Sequence, residues 1–336
     1  MQRINWIDWA KALAAMTVVF CHLPQSQEWF YYRYLQAFII SIFFFISGYL
    51  KKDRGSNKEN WKKYWHGLIL PYIIYNAIVY PYWLIKYFMQ QGCLPDLPTA
   101  LKPIFGAILL QHNNSFCEPL DGPLWYLPAI LVMHVTIDLC RRTRYQHAIM
   151  IVLCFVCVIL YGADKWWYFA PDLTPMGIMK NLPFYYTGYI LGQKRLFNVV
   201  HPIRDLMCCI GLILLSIVLF QWHLTAFWAG LHILHIVIYY PACYAFLFGV
   251  SYGCKCLNTY KMTFVTNLSV GTLAMIGLHI IPISFINFVI VYSIKQQPPI
   301  CYQWYEALII TVIITIMLYP IILYSMRVKP VFIGKS

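Results

Sequence analysis

Residues 4–25 read INWIDWAKALAAMTVVFCHLPQ, an apolar run that carries Asp8 and Lys11 at one end and His22 at the other. Ionisable groups are costly inside a bilayer, so a membrane helix that holds three of them needs a reason for each. Composition decides that this is nevertheless a membrane protein. Of the 336 residues, 61% are hydrophobic and 11% charged, and the mean hydropathy is +0.62, values that no ordinary soluble domain has. A helix crossing the hydrocarbon needs about 20 largely apolar residues. Ten such runs can be placed, at 7–23, 35–50, 65–88, 124–140, 147–162, 182–193, 205–221, 229–250, 268–292 and 304–326. The expectation is an all-α polytopic membrane protein of about ten transmembrane helices. No linker, fixed-period repeat or soluble appendage divides the chain, which reads as one integral-membrane domain over 1–336.

The positive-inside rule tests this partition, because cytoplasmic loops hold the excess of Lys and Arg. With the N-terminus inside, 19 of the 25 cations fall on inner segments, among them Arg3, Lys11, Lys51, Arg54, Lys62, Lys63, Arg141, Arg195, Lys255, Lys329 and Lys335. The outer side keeps Arg33, Lys86, Lys102, Lys165, Lys180 and Lys295. Both termini are therefore expected in the cytoplasm. The net charge of +13 is a matter of topology, and a nucleic-acid partner is not needed to explain it.

The first run ends in HLPQSQ with no small-x-small cleavage site, so it is expected to stay as a helix. Most of the twelve cysteines fall in predicted helices or inner loops; Cys93 and Cys117 share an outer loop and could pair in an oxidising compartment. The CKC at Cys254 and Cys256 has no companions at zinc spacing, nor do the histidines of WHGLI and LHILH, and no metal is expected. The outer segment from Gln90 to Pro123 contains LKPIFGAILLQ, too short to span, and is expected to form a re-entrant or interfacial helix. GYILG (Gly188, Gly192) and GVSYG (Gly249, Gly253) have the small-residue spacing of helix packing.

At about 100° and 1.5 Å per residue, the eleven steps from Lys11 to His22 return to within ~20° of the same face and climb ~16 Å. One stripe thus presents a cation at the inner mouth and an imidazole deep in the membrane, with Asp8 one turn before Lys11 and able to pair with it. Equally, Lys11 snorkelling to headgroups and His22 capping the outer end would account for both.

RINWIDWAKALAAMTVVFCH resembles the opening helix of the membrane acyltransferase 3 family, whose signature is a basic residue, ten positions and a histidine, here Lys11 and His22. FIISIFFFISGYLKK, DGPLWYLPAIL and VGTLAMIGLH, in that order, are similar to later pieces of the family, nearest its fucose 4-O-acetylase-like branch. The resemblance implies O-acyl transfer, usually of acetyl, from cytoplasmic acyl-CoA to a hydroxyl of a cell-surface glycan or lipid-linked sugar, in a bacterial plasma (inner) membrane. A hydroxyl becomes a good nucleophile when a positioned base takes its proton, and an imidazole with an ordinary pKa of about 6.5 suits that role; His22 is the expected catalytic base. Lys11, Lys62 and Lys63 are the candidates for the CoA phosphates, although WKKYWHGLILPY has lysines where the family tends to have arginines. Asp8, Trp125 and His279 are substrate-side candidates, and His134, His232 and His235 are read as polar glue. The alternative is a carrier or flippase for a lipid-linked sugar or small solute. Proton-driven carriers usually place carboxylates near the midplane, whereas Asp8 and Asp138 lie near inner ends and Glu306 near an outer end.

Overall fold

The computed structural model describes residues 4–52, 57–109, 117–120, 122–167, 173–194, 200–293, 300–328 and 330–334. Arg3, Arg54, Arg195, Lys295, Lys329 and Lys335 of the cation pattern lie outside them. The described residues form helices and no strand. In chain order these are α1 (Asn5–His22), α2 (Phe30–Leu50) and α3 (Asn57–Tyr64), the last continuing through a π-helical turn (Trp65–Ile69) into α4 (Leu70–Gln91). After α5 (Leu97–Ile108) and a 3₁₀ turn (Gly122–Trp125) come α6 (Tyr126–Cys140), α7 (Gln146–Trp167), α8 (Leu173–Lys194), α9 (Pro202–Trp228) and α10 (His232–Cys256). The chain finishes with α11 (Thr263–Val270), α12 (Thr272–Leu278), α13 (Ile280–Ser293), α14 (Trp304–Arg327) and a 3₁₀ turn (Pro330–Ile333). Every one of the ten apolar runs falls on a helix. Among the described residues, six helices are long and apolar enough to cross a membrane, and a seventh if α12 and α13, bent by 44° at His279, count as one span.

α1 is not among those six, and its place in the bundle explains how a helix with two charges near one end is tolerated. It is packed on by α2, α10, α11, α12 and α14, with Ala10, Ala12, Ala14 and Ala15 buried; small residues let neighbouring backbones approach. Polar groups that face protein can be satisfied there as they cannot in lipid. Asp8 is buried and accepts a hydrogen bond from Ser269 Oγ of α11 at 2.6 Å. The first turn is fastened by Asn258, whose Oδ1 accepts from the Trp6 N–H at 3.0 Å and whose carbonyl accepts from Asn5 Nδ2 at 2.7 Å, meeting donors that a helix start leaves open.

α2 and α8 run side by side through glycines. A Cβ on Gly188 would come within 2.0 Å of the Phe45 carbonyl oxygen, and one on Gly192 within 2.2 Å of that of Tyr49, so only hydrogen fits. On Gly249, a Cβ would sit 2.9 Å from Ile213 of α9, and both glycine pairs of the sequence thus serve helix contact. Lys180, counted as an outer cation, is set within α8, its Nζ donating to the Ala37 carbonyl at 3.3 Å and lying 4.9 Å from the centre of the Tyr239 ring.

α5 is re-entrant. Tyr80 Oη donates to the Ala100 carbonyl at 3.0 Å and Tyr72 Oη to the Ala107 carbonyl at 2.6 Å, so α5 descends antiparallel to α4 and ends level with Tyr72, ~28 Å below Gln91 at 1.5 Å per residue. The chain then returns beside it, with the Glu118 N–H donating to the Lys102 carbonyl at 3.3 Å and the Glu118 carbonyl occupying the place a Gly106 side chain would take. Cys93 is exposed, Cys117 buried, and neither is in a disulfide.

Candidate active site

His22 is the last residue of α1. Its ring Nδ1 lies 2.7 Å from the Val18 carbonyl oxygen. A carbonyl only accepts, so Nδ1 carries the hydrogen and, in the neutral ring, Nε2 carries the lone pair. The final carbonyls of α1 are claimed by other groups: Gln25 Nε2 donates to Phe20 O at 2.7 Å, Tyr32 Oη to Cys21 O at 3.0 Å, and Gln36 Nε2 to Tyr32 Oη at 2.8 Å. These contacts hold the end of the helix while the imidazole itself stays exposed. Sequence reading missed Gln25, Tyr32 and Gln36, because their role is to satisfy backbone groups and depends on a turn that no local pattern announces.

His279 occupies the break between α12 and α13 and has no exposed surface. Its Nδ1 lies 2.9 Å from Met275 O and 3.0 Å from Ile276 O, which fixes the same tautomer as in His22. Its Nε2 is buried with no hydrogen-bond partner among the described residues. The two rings meet edge to face, with centroids 4.8 Å apart and planes at 72°. The sequence places these histidines on the first and ninth runs as separate candidates, and the structure joins them.

Around this pair the walls come from distant elements. A Cβ on Gly277 would lie 2.6 Å from the ring of Tyr75 of α4, whose hydroxyl donates to the Phe332 carbonyl. The turn Gly122–Trp125 packs on α12 and α8. The Trp125 ring stacks on Phe44 with centroids 5.8 Å apart and lies over Gly177, where a Cβ would approach it to 1.9 Å. Trp125 is thereby fixed at depth beside the helix that leads to His279.

The remaining candidates lie apart from the histidines. Asp8 is fourteen residues, ~21 Å, along α1 from His22, and Lys11 ~16 Å, at 1.5 Å per residue. Lys11 is half-buried, whereas Lys62 and Lys63 are exposed on α3. Near them the sequence did not foresee a buried polar cluster. Lys51 Nζ lies 2.8 Å from Asp138 Oδ1 and bonds the Tyr64 hydroxyl, which donates in turn to Asp138 Oδ2. Asn60 Nδ2 adds a bond to the same carboxylate at 3.3 Å. His134 stacks on Tyr64 at 5.4 Å and has Nδ1 at 2.6 Å from the Tyr185 hydroxyl. The cluster ties α2, α3, α6 and α8 together directly beneath the π-helical turn.

Comparison with curated proteins finds no match, and comparison with solved structures finds none either. The signature helix that ends at His22, the turn that carries Trp125 and the bent helix that carries His279 all lie within residues 4–327, which match the family described as Acyltransferase domain, and the chain belongs to that membrane acyltransferase 3 family.

Proposed function

We propose that this membrane acyltransferase is an O-acetyltransferase that moves acetyl from cytoplasmic acetyl-CoA to a hydroxyl of a cell-surface glycan or lipid-linked sugar in a bacterial plasma membrane, with His22 as general base. The observation that supports the reading most is the anchored tautomer of His22: Nδ1 is held by Val18 O at 2.7 Å, which leaves Nε2 as the basic nitrogen on an exposed ring. As the acceptor oxygen attacks the thioester carbonyl, its proton passes to His22 Nε2. The C–O bond forms, the C–S bond breaks, and the proton held by His22 goes to the departing CoA sulfur, leaving an O-acetyl ester, CoA thiol and neutral histidine. Lys11, Lys62 and Lys63 on the inner side suit the anionic nucleotide of the donor. The ~16 Å between Lys11 and His22 is a distance a pantetheine arm can cover. Trp125, its ring held between Phe44 and Gly177, is the aromatic residue on the sugar side, and His279 backs the base.

The test is purified protein in nanodiscs with radiolabelled acetyl-CoA and candidate glycans. Acetyl ester formation that disappears in His22→Gln supports the reading. Facilitated movement of a sugar without any acetyl ester formed overturns it in favour of a carrier.

A further inference from the structure

Between α4, α5 and the start of α6 lies a cavity of about 660 Å³, bordered by Tyr72, Ile73, Asn76, Ala77, Ala107 and Leu131 among others. Ligand pockets commonly measure ~300–1,000 Å³, and ~150 Å³ already holds benzene. None of the described residues lining it is charged. The polar groups at its border are turned towards protein: Tyr72 Oη to Ala107 O at 2.6 Å, Tyr80 Oη to Ala100 O at 3.0 Å, and Asn76 Nδ2 to Tyr72 O at 2.8 Å. A sugar ring or the amides of pantetheine would lose their water there and gain no partner, so the cavity fits a hydrocarbon chain.

Two further observations identify which chain. The rim residues Ile73 and Ile108 are 50% and 65% exposed, and both are apolar and stand on the flanks of α4 and α5, so the mouth opens on lipid. The occupant enters sideways from the bilayer, unlike a donor that arrives from water. The elements that wall the cavity also touch α12, the helix that leads to His279. α4 also carries Tyr75, ~60° round the helix from the cavity-lining Tyr72, against Gly277, two residues before His279, and Leu127 on the cavity wall follows the turn that packs on α12.

We propose that this cavity seats the hydrocarbon chain of a lipid-borne acceptor and so holds its head group at the His22–His279 pair; the assignment rests on the acetyl-transfer reading above. The chain leaves one apolar surrounding for another, so the cavity contributes orientation and residence, with no hydrophobic driving force of its own.

The experiment compares acetyl transfer to methyl glucoside and dodecyl glucoside in nanodiscs of phosphatidylethanolamine and phosphatidylglycerol, for the wild type and for Ala77→Phe and Ala107→Phe, which fill the cavity from facing walls. The wild-type ratio of dodecyl to methyl rates should exceed that of either variant at least tenfold, the ratio kept by the variants being the partition of dodecyl glucoside into the bilayer. A dodecyl glucoside with a diazirine on its chain should label α4 and α5 of the wild type, a measurement that needs no variant. Equal ratios in all three proteins with labelling elsewhere overturn the cavity assignment and leave acetyl transfer standing. Labelling suppressed equally by a photo-inert alkyl phospholipid assigns the cavity to ordinary bilayer lipid, which also overturns it. Absence of acetyl transfer to every glycoside, with labelling of α4 and α5 intact, overturns the acetylation reading and the acceptor assignment with it.

Discussion

The imidazoles of His22 and His279 touch edge to face at 4.8 Å between centroids, and each donates its Nδ1–H to a carbonyl of its own helix. The nitrogen left over in both rings is therefore Nε2, on an exposed residue in His22 and buried without a partner among the described residues in His279. Each ring thus keeps one acceptor nitrogen, and a base at His22 would hold its proton on Nε2 in contact with a second neutral imidazole.

Replacing His22 with Gln retains size and polarity and removes the titratable nitrogen. Loss of a general base lowers rates by about 10²- to 10⁴-fold, so acetyl ester formation should fall by that much while the detergent melting temperature stays where it was. Near-normal transfer at neutral pH would move the base to another residue.

His279→Leu separates chemistry from packing. The Met275 carbonyl keeps its backbone bond from the residue 279 N–H at 3.1 Å, while leucine takes the Nδ1–H from the Ile276 carbonyl and removes the orphaned Nε2. Losing a neutral hydrogen bond costs about 1 kcal/mol and removing a buried orphan returns about as much, so the two nearly offset. The melting temperature should hold or rise, while the transfer rate drops at least tenfold. A lowered melting temperature with an unchanged rate would mean that His279 only holds helices together.

The cations are separated by salt. Lys11 is half-buried and Lys62 and Lys63 exposed, and exposed charges are screened within ~3 Å at 1 M ionic strength. Calorimetric titration with acetyl-CoA should show Lys11→Ala weakening binding about tenfold at low and high salt alike, as expected for a hydrogen bond to a charged group worth about 1.5 kcal/mol. Lys62→Glu with Lys63→Glu should weaken it at low salt only.

Asp138 tests the cluster under the π-helical turn. Its side chain and that of Lys51 are 12% and 6% exposed, and removing one partner of such a pair is destabilising by about 3–5 kcal/mol. Asp138→Ala should show a loss of that order in chemical denaturation, and the double change Lys51→Met with Asp138→Leu should regain most of it.

Helix identity and approximate position were legible along the whole chain, because apolar runs of membrane length are a signal that acts within each segment. What escaped were the features made by contacts across segments. The run at 268–292 was read as one span, whereas the helix bends by 44° at His279, close to the contact of Gly277 with Tyr75. The charge count placed Lys180 with the outer loops, although carbonyl and aromatic partners from α2 and α10 hold it within the bundle. Asp138 read as an inner-end carboxylate, and its partners Lys51 and Tyr64 lie on two other helices. That Lys11 and His22 stand on one helix was legible because a single segment carries both. The pairing with His279 was not, because it joins two ends of the chain.

The central position of α1 bears on how the protein is made. Asp8 waits for Ser269, Trp6 for Asn258, and the side of α1 that faces α14 for residues beyond 303. A ribosome adds about 5–20 residues per second, so the first helix is in the membrane for roughly 15–60 s before the last of its partners exists. During that interval a helix bearing Asp8, Lys11 and His22 has no sheath of its own. Whatever holds it, whether the insertion machinery or the earlier helix α2, must then give way to α10, α11, α12 and α14 one after another. The surroundings of His22 are in this sense completed late, and a chain stopped short of α14 leaves α1 open on the side where closure was due.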